Sequence, residues 1–290
     1  MKLPIPAVTL IVFSLLSCEF RMSKGQDLMA GLTTEGDGLS CENVYLSDGN
    51  NNISKTSFIY GEKFYLNFED VRGLSKDHDH TFPGMKLVIV GEAGDTVMRN
   101  DDLYSHYTDG MDFSPLLLQS NITVANPIHS GGTYTMYTTI WDKKGEGTYK
   151  AQMNFDVVAN DKIKIEAQDV SYDEIYLFSE ERKVAIADNS AKLYENVYMI
   201  VEGVEGFVAE EGKVLAGMSM LAKDAAGEVL LDEPDLLGDS ATDISEFQFR
   251  IAASAVFMDP KIKNPVRWRV VIWDKKSKRR ITATTDLVLN

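Results

Sequence analysis

Ile140-Trp141-Asp142-Lys143-Lys144 returns letter for letter as Ile272-Trp273-Asp274-Lys275-Lys276. Outward from this pair, Phe64 to Tyr104 aligns without a gap on Val197 to Leu237, with ten identities in 41 positions. The shared residues include Gly84-Met85 with Gly217-Met218, Ala93-Gly94 with Ala226-Gly227, and Asp102-Leu103 with Asp235-Leu236. Upstream, Asn43-Val44-Tyr45-Leu46 resembles Glu174-Ile175-Tyr176-Leu177. Self-similarity at a fixed spacing marks a duplicated structural unit. The copies run over 41–158 and 162–290.

Each copy reads as strands. Met85, Leu87 and Ile89 alternate with more polar neighbours, as do Met218, Met220 and Ala222, so one face of each strand is core. Glu92-Ala-Gly-Asp95 and Ala225-Ala-Gly-Glu228 read as hairpin turns in which glycine takes a positive φ. Tyr134, Met136, Thr138 and Ile140 point inward, followed after the Asp142 to Gly145 turn by Ala151, Met153, Phe155 and Val157. The second copy answers with Val266, Trp268, Val270 and Ile272, then Ala283, Thr285, Leu287 and Leu289. Seven or eight short strands per copy, without convincing helical periodicity, predict an all-β chain. Its architecture is two tandem immunoglobulin-like β-sandwich domains arising from the duplication. The short junction Ala159-Asn160-Asp161 predicts sandwiches packed end to end with limited freedom.

With 290 residues the chain has room for two such cores. Its formal charge of −15 opposes contact with phosphate backbones, and nucleic acid is not an expected partner. The cations at Lys143, Lys144 and from Lys275 to Arg280 flank turns and read as solvated.

At the other end, Lys2 precedes a charge-free apolar stretch from Leu3 to Leu16, too short to cross a bilayer as a helix and suited to the core of an export signal. Leu15-Leu16-Ser17-Cys18 follows it and resembles the lipobox of bacterial lipoprotein signals. That resemblance implies cleavage after residue 17 and acylation of the Cys18 thiol; two or three acyl chains anchor firmly, because each buried methylene contributes about 0.8 kcal/mol. Loss of residues 1–17 leaves 28 basic against 44 acidic residues, a charge of −16. Residues 18–40 are polar and glycine-containing and read as a flexible tether. Cys41 is then the only remaining thiol, read as a small buried hydrophobe.

Two candidate sites stand out. Trp141 and Trp273 fall opposite Ile140 and Ile272, hence away from the core. They are candidates for a binding surface, since indole faces stack on sugars and anchor protein interfaces. Asp77, His78, Asp79 and His80 are weaker candidates as metal ligands, for calcium through carboxylates or zinc through imidazoles; their spacing fits no closed zinc pattern and no EF-hand loop. No catalytic residue and no cofactor is expected: Gly-x-Ser-x-Gly, a phosphate loop and His-Glu-x-x-His are absent from the sequence.

The signal and the tandem sandwiches together are similar to lipoproteins of the Bacteroidetes. Asp95-Thr96-Val97 and Asp239-Ser240-Ala241 also resemble the O-glycosylation acceptor of that phylum. The resemblance implies an envelope location, anchored in the outer membrane, and Glu19 to Lys24 lacks the acidic export stretch, which points to the periplasmic face. The expected function is a non-enzymatic binding or assembly subunit for a protein partner in the envelope. The alternative is a glycan-binding or metal-dependent adhesive module.

Overall fold

Strict alternation of buried and exposed positions makes this chain pair into sheets, and the pairing is the same in both copies. A computed structural model describes residues 26–27 and 31–290; Cys18 and the start of the tether lie outside the described residues. The principal strands of the first copy are β1 (Leu32–Asp37), β2 (Asn43–Ser47), β3 (Ser57–Ile59), β4 (Lys63–Glu69), β5 (Pro83–Gly91), β6 (Thr96–Asn100), β7 (Leu118–Thr123), β8 (Thr133–Asp142) and β9 (Thr148–Val158). Those of the second are β10 (Ile163–Gln168), β11 (Glu174–Ser179), β12 (Ser190–Ala191), β13 (Asn196–Glu202), β14 (Ala216–Lys223), β15 (Val229–Glu233), β16 (Ile251–Val256), β17 (Val266–Asp274) and β18 (Arg280–Leu289).

In the first copy one sheet runs β1-β9-β8-β5-β6, with β3 added parallel to β9, and the other contains β7-β4-β2. The second repeats this strand for strand, as β10-β18-β17-β14-β15 with β12 parallel to β18, facing β11-β13-β16. Each copy is an immunoglobulin-like β-sandwich, and the described residues are all-β apart from one short helix, α1 (Ile244–Phe249). The inward sets read from the sequence all lie in the cores, with Met136, Ile140, Met153, Val266, Trp268 and Leu287 essentially inaccessible. Gly94 and Gly227 take φ values of +87° and +83° in the β5–β6 and β14–β15 turns.

Two expectations need correction. The tether does not reach residue 40: β1 pairs antiparallel with β9 from Asp37↔Thr148 to Thr33↔Gln152, and Leu32 and Leu39 are buried. Its counterpart is β10, so the duplicated unit starts near 32 and not at 41. The inward positions of β1 after Leu32 are Thr34 and Gly36, which hides the alternation from a reading based on apolar residues.

The second correction concerns the junction. Tyr176 and Ile200 lie on the outer face of the β11-β13-β16 sheet, yet belong to the apolar cluster of the first sandwich. Phe178, Ala185, Tyr198 and Ala252 pack against the same cluster. One end of the first sandwich therefore sits on the flank of the second, end on face and not end to end.

Leu32→Ala removes a fully buried side chain from β1 and should cost about 2–5 kcal/mol. The check is urea unfolding of the two full chains, and an unchanged midpoint would put β1 back in a tether.

Candidate functional site: the duplicated turn and the joint

The five-residue repeat closes each sandwich with the same set of contacts. Trp141 pairs across the sheet with Gly84, and Trp273 with Gly217. A Cβ at Gly84 would lie 2.2 Å from the Trp141 ring, and one at Gly217 equally close to Trp273. Each indole therefore lies flat over the backbone of the neighbouring strand, which only glycine permits. The tryptophans do face away from the core, as parity requires, and are half-buried. Part of each ring is thus committed to covering the sheet.

The aspartate that follows is buried in both copies. Asp142 accepts hydrogen bonds from the Ser75 and Lys144 N–H groups at 2.6 and 2.9 Å. Asp274 accepts from the N–H groups of Val208 (3.0 Å) and Lys276 (2.9 Å) and from the Ser277 hydroxyl at 2.7 Å. Burial pushes both carboxyls up, and these donors more than reverse it, so each sits below the ordinary aspartate value of 3.8.

Lys143 meets Asp102 at 2.7 Å and Lys275 meets Asp235 at 2.6 Å. Asp102 and Asp235 in turn accept the N–H groups of Met85 and Met218, each at 3.2 Å. The shared Gly-Met, Asp-Leu and Trp-Asp-Lys residues are thus one cluster in space. The second lysine holds the next loop: Lys144 pairs with Asp77 at 3.3 Å, and Lys276 pairs with Glu210.

That loop carries the weak metal candidates. Lys76–Asp77 and His80–Thr81 form a small hairpin with His78 at a φ of +58°, matched in the second copy by Ala209–Glu210 and Lys213–Val214. The Asp77 carboxylate is engaged by the His78 ring at 3.0 Å and by Lys144, and Asp79 and His80 are exposed. Among the described residues no group of three or more His, Cys, Asp or Glu side chains converges as metal ligands. Asp79 also lines an open cleft of about 350 Å³ between the 70–76 and 111–116 loops, with Arg72 and Phe113. Cys41 is half-buried, and burial followed by the nearby Asp70 carboxylate pushes its thiol up to about 12.

Sequence reasoning missed a second concentration of chemistry, the joint itself. Glu174, 3% exposed, accepts from the Ser130 N–H and hydroxyl, each at 2.7 Å. Glu202 receives the Tyr60 hydroxyl at 2.9 Å, the Tyr176 hydroxyl at 2.8 Å and the Arg250 guanidinium at 3.1 Å. Tyr60 also accepts the Asn126 N–H, and its ring meets Tyr176 with centroids 5.2 Å apart. Gly61, at a φ of +89°, brings backbone so close that a Cβ would lie 2.6 Å from Ala185. Burial raises the Glu174 carboxyl; Ser130 and His129 oppose this and Glu202 adds to it. The available signal was the unbroken apolar run Val197 to Val201, which a strand covered on both faces requires.

No family model and no curated protein matches the sequence. Among solved structures, pT26-6p is 8% identical at a TM-score of 0.28, with 93% of this chain and 66% of that one covered. The fibronectin(III)-like modules of CbhA from Clostridium thermocellum are 9% identical at a TM-score of 0.21, with 84% and 94% covered. The ICAM-5 D1–D4 ectodomain fragment is 12% identical at 0.21, with 90% and 62% covered. These proteins are similar to the chain in fold class alone.

The buried acids predict opposite pH responses. A depressed carboxyl contributes stability above the ordinary value that is lost as pH falls through its lowered one; a raised carboxyl costs stability once pH climbs past the ordinary value. Asp142→Ala and Asp274→Ala should each lose about 3 kcal/mol at neutral pH and show a flatter acid limb. Glu174→Gln should raise Tm at neutral pH, with the gain vanishing below the ordinary glutamate value of 4.5. Thermal unfolding of each variant across about pH 3–8, a range that brackets the carboxyl values, checks both signs.

Proposed function

We propose that the chain is a lipid-anchored subunit of a bacterial cell envelope, of the Bacteroidetes type, that presents two sandwiches as one rigid body to a protein partner and catalyses no reaction. The observation that supports this best is the joint. Two carboxylates, the rings of Tyr60 and Tyr176 and an apolar sheet face fix the relative placement of the sandwiches, where a flexible linker would leave it free. A fixed placement suits a subunit whose task is to hold surfaces at set distances.

The anchor rests on Leu15-Leu16-Ser17-Cys18 and the apolar stretch before it. With Gln26–Asp27 paired back on Leu32–Thr33, only residues 19–25 intervene, which at full extension span at most about 25 Å. The first sandwich would stay close to the membrane surface and the second would be carried with it.

The residues that the two copies share are engaged in closing each sandwich. This favours a scaffold whose partner-specific surfaces lie at unshared positions. A glycan-binding role through Trp141 and Trp273 is the competing reading, and it requires the exposed halves of the indoles to act besides covering glycine.

Cys18→Ser expressed in a bacterial host should move the protein from the membrane to the soluble fraction and abolish labelling by radioactive palmitate. A variant that stays membrane-bound would overturn the anchor. Crosslinking in native membranes should recover one envelope protein in equimolar amount. A glycan retained by the wild type and lost in Trp141→Ala/Trp273→Ala with unchanged Tm would favour the competing reading.

A further inference from the structure

The duplication supplies an internal comparison: both copies keep the same frame, so a surface present in only one of them is set apart by chemistry and not by folding. The outer face of the β10-β18-β17-β14 sheet is such a surface. Lys162, Lys164, Lys223, Arg267, Arg269 and Arg280 are all exposed on it. Strand register places Lys164 beside Thr284 and Thr284 beside Arg269, and places Lys223 beside Arg267 and Arg267 beside Asp286.

The equivalent positions of the first copy, by the same register, are Gly31, Thr33, Val90, Thr135, Tyr137 and Thr148, every one of them neutral. Along these four strands Glu166 and Asp286 carry the negative charge on the face, against five cations with Lys162 just before β10, in a chain whose total is −15; Asp232 of the edge strand β15 lies beside Leu221. Asp286 is taken by Arg267 in a two-point pair at 2.9 and 3.1 Å. Lys223, Arg269 and Arg280 make no ion pair among the described residues, and Lys164 acts on Asp286 only from beyond ion-pair distance. On the β10–β18 side of the face lies a trough of about 240 Å³ lined by three cations, Lys162, Lys164 and Arg267, by the carboxylates Glu166 and Asp286, and by threonines. Half-exposed Trp273 stands beside Arg280 at its end.

The geometry points to this face as a binding surface for a linear anionic glycan, whose carboxylate or phosphate groups pair with the unpartnered lysines and arginines while its hydroxyls meet the threonines. Strand spacing of about 4.8 Å and a two-residue repeat of about 7 Å set the cations on a flat grid, suited to an extended polymer. A protein partner would want an apolar centre; here Leu221 and Val271 are partly covered, and exposed Val288 and half-exposed Trp273 stand at the margins with charged residues between them. An anionic bilayer is a plane that would face the acidic remainder of the molecule as well, whereas a chain narrower than the sheet meets only the cations. The inference is independent of acylation at Cys18 and goes beyond the scaffold reading.

The test uses the full chain purified in detergent, with alginate as the anionic glycan, neutral dextran as control, and polyglutamate and phosphatidylglycerol vesicles as rival partners. Alginate should bind, dextran should not, and affinity should fall steeply with salt. Lys164→Glu/Arg269→Glu should weaken alginate binding at least tenfold, while Lys150→Glu on the first copy's face leaves it unchanged. Unfolding curves verify that the double variant is native, and Lys164→Gln/Arg269→Gln replaces it if it is not. The proposal is overturned if alginate does not bind, if the double variant binds as wild type, or if polyglutamate or vesicles bind more tightly than alginate.

Discussion

A carboxylate at the end of a core strand must be met by donors from the loop that follows and from a loop across the sandwich, or the strand end opens to water. Asp142 and Asp274 meet this condition in the same way, reaching to Ser75 and Val208. Around each, a lysine ties the turn to Asp102 or Asp235, and those acids tie back to the central strand at Met85 or Met218. The indole of the preceding tryptophan covers the strand at the glycine before that methionine. Removing any of these acids leaves backbone donors at the strand end without their partner, and this interdependence accounts for acids and turns far apart in sequence recurring together.

The joint obeys the same electrostatics with a different balance. Asp142 and Asp274 receive enough donors to be held ionised, whereas Glu174 is buried with Glu202 nearby and its ionised form is disfavoured. Ser130 supplies two hydrogen bonds and His129 a third contact at 3.6 Å. A neutral side chain would be easier to bury there. A carboxylate has directional value instead: it accepts only from groups placed to donate, and so fixes the angle at which one sandwich meets the other.

Most of the fold was legible because the inward positions are apolar and alternate. The repeat added what alternation lacks, namely which strands correspond and where the turns fall. Three things were not legible for identifiable reasons. β1 carries its register on Thr34 and Gly36, which a hydrophobic pattern does not register. α1 is a single six-residue element capped by Asp243, too short for a helical period to show. The joint depends on outward residues of β11 and β13, and an apolar outward face on a strand of a predicted sandwich does not say what covers it. The candidate residues were placed correctly as to face, in that Trp141 and Trp273 point away from the core. Their engagement with Gly84 and Gly217 lies across the sheet and follows only from register.

The two copies also differ where the frame imposes nothing. Away from Trp141, Trp273 and the glycines beneath them, positions on the outer face of the large sheet lie off the core, so substitutions there are free of the packing cost that holds Met85 and Asp102 constant. In the first copy that freedom is spread over threonines, Tyr137 and mixed charges. In the second it is concentrated into arginine and lysine, although like charges on adjacent strands repel and Lys223 and Arg267 stand side by side. Repulsion between unpaired cations is a standing cost to the folded state, relieved only in part by Asp286. A duplicated scaffold that keeps its closing contacts in both halves and accepts such a cost in one has separated the work of folding from the work of recognition.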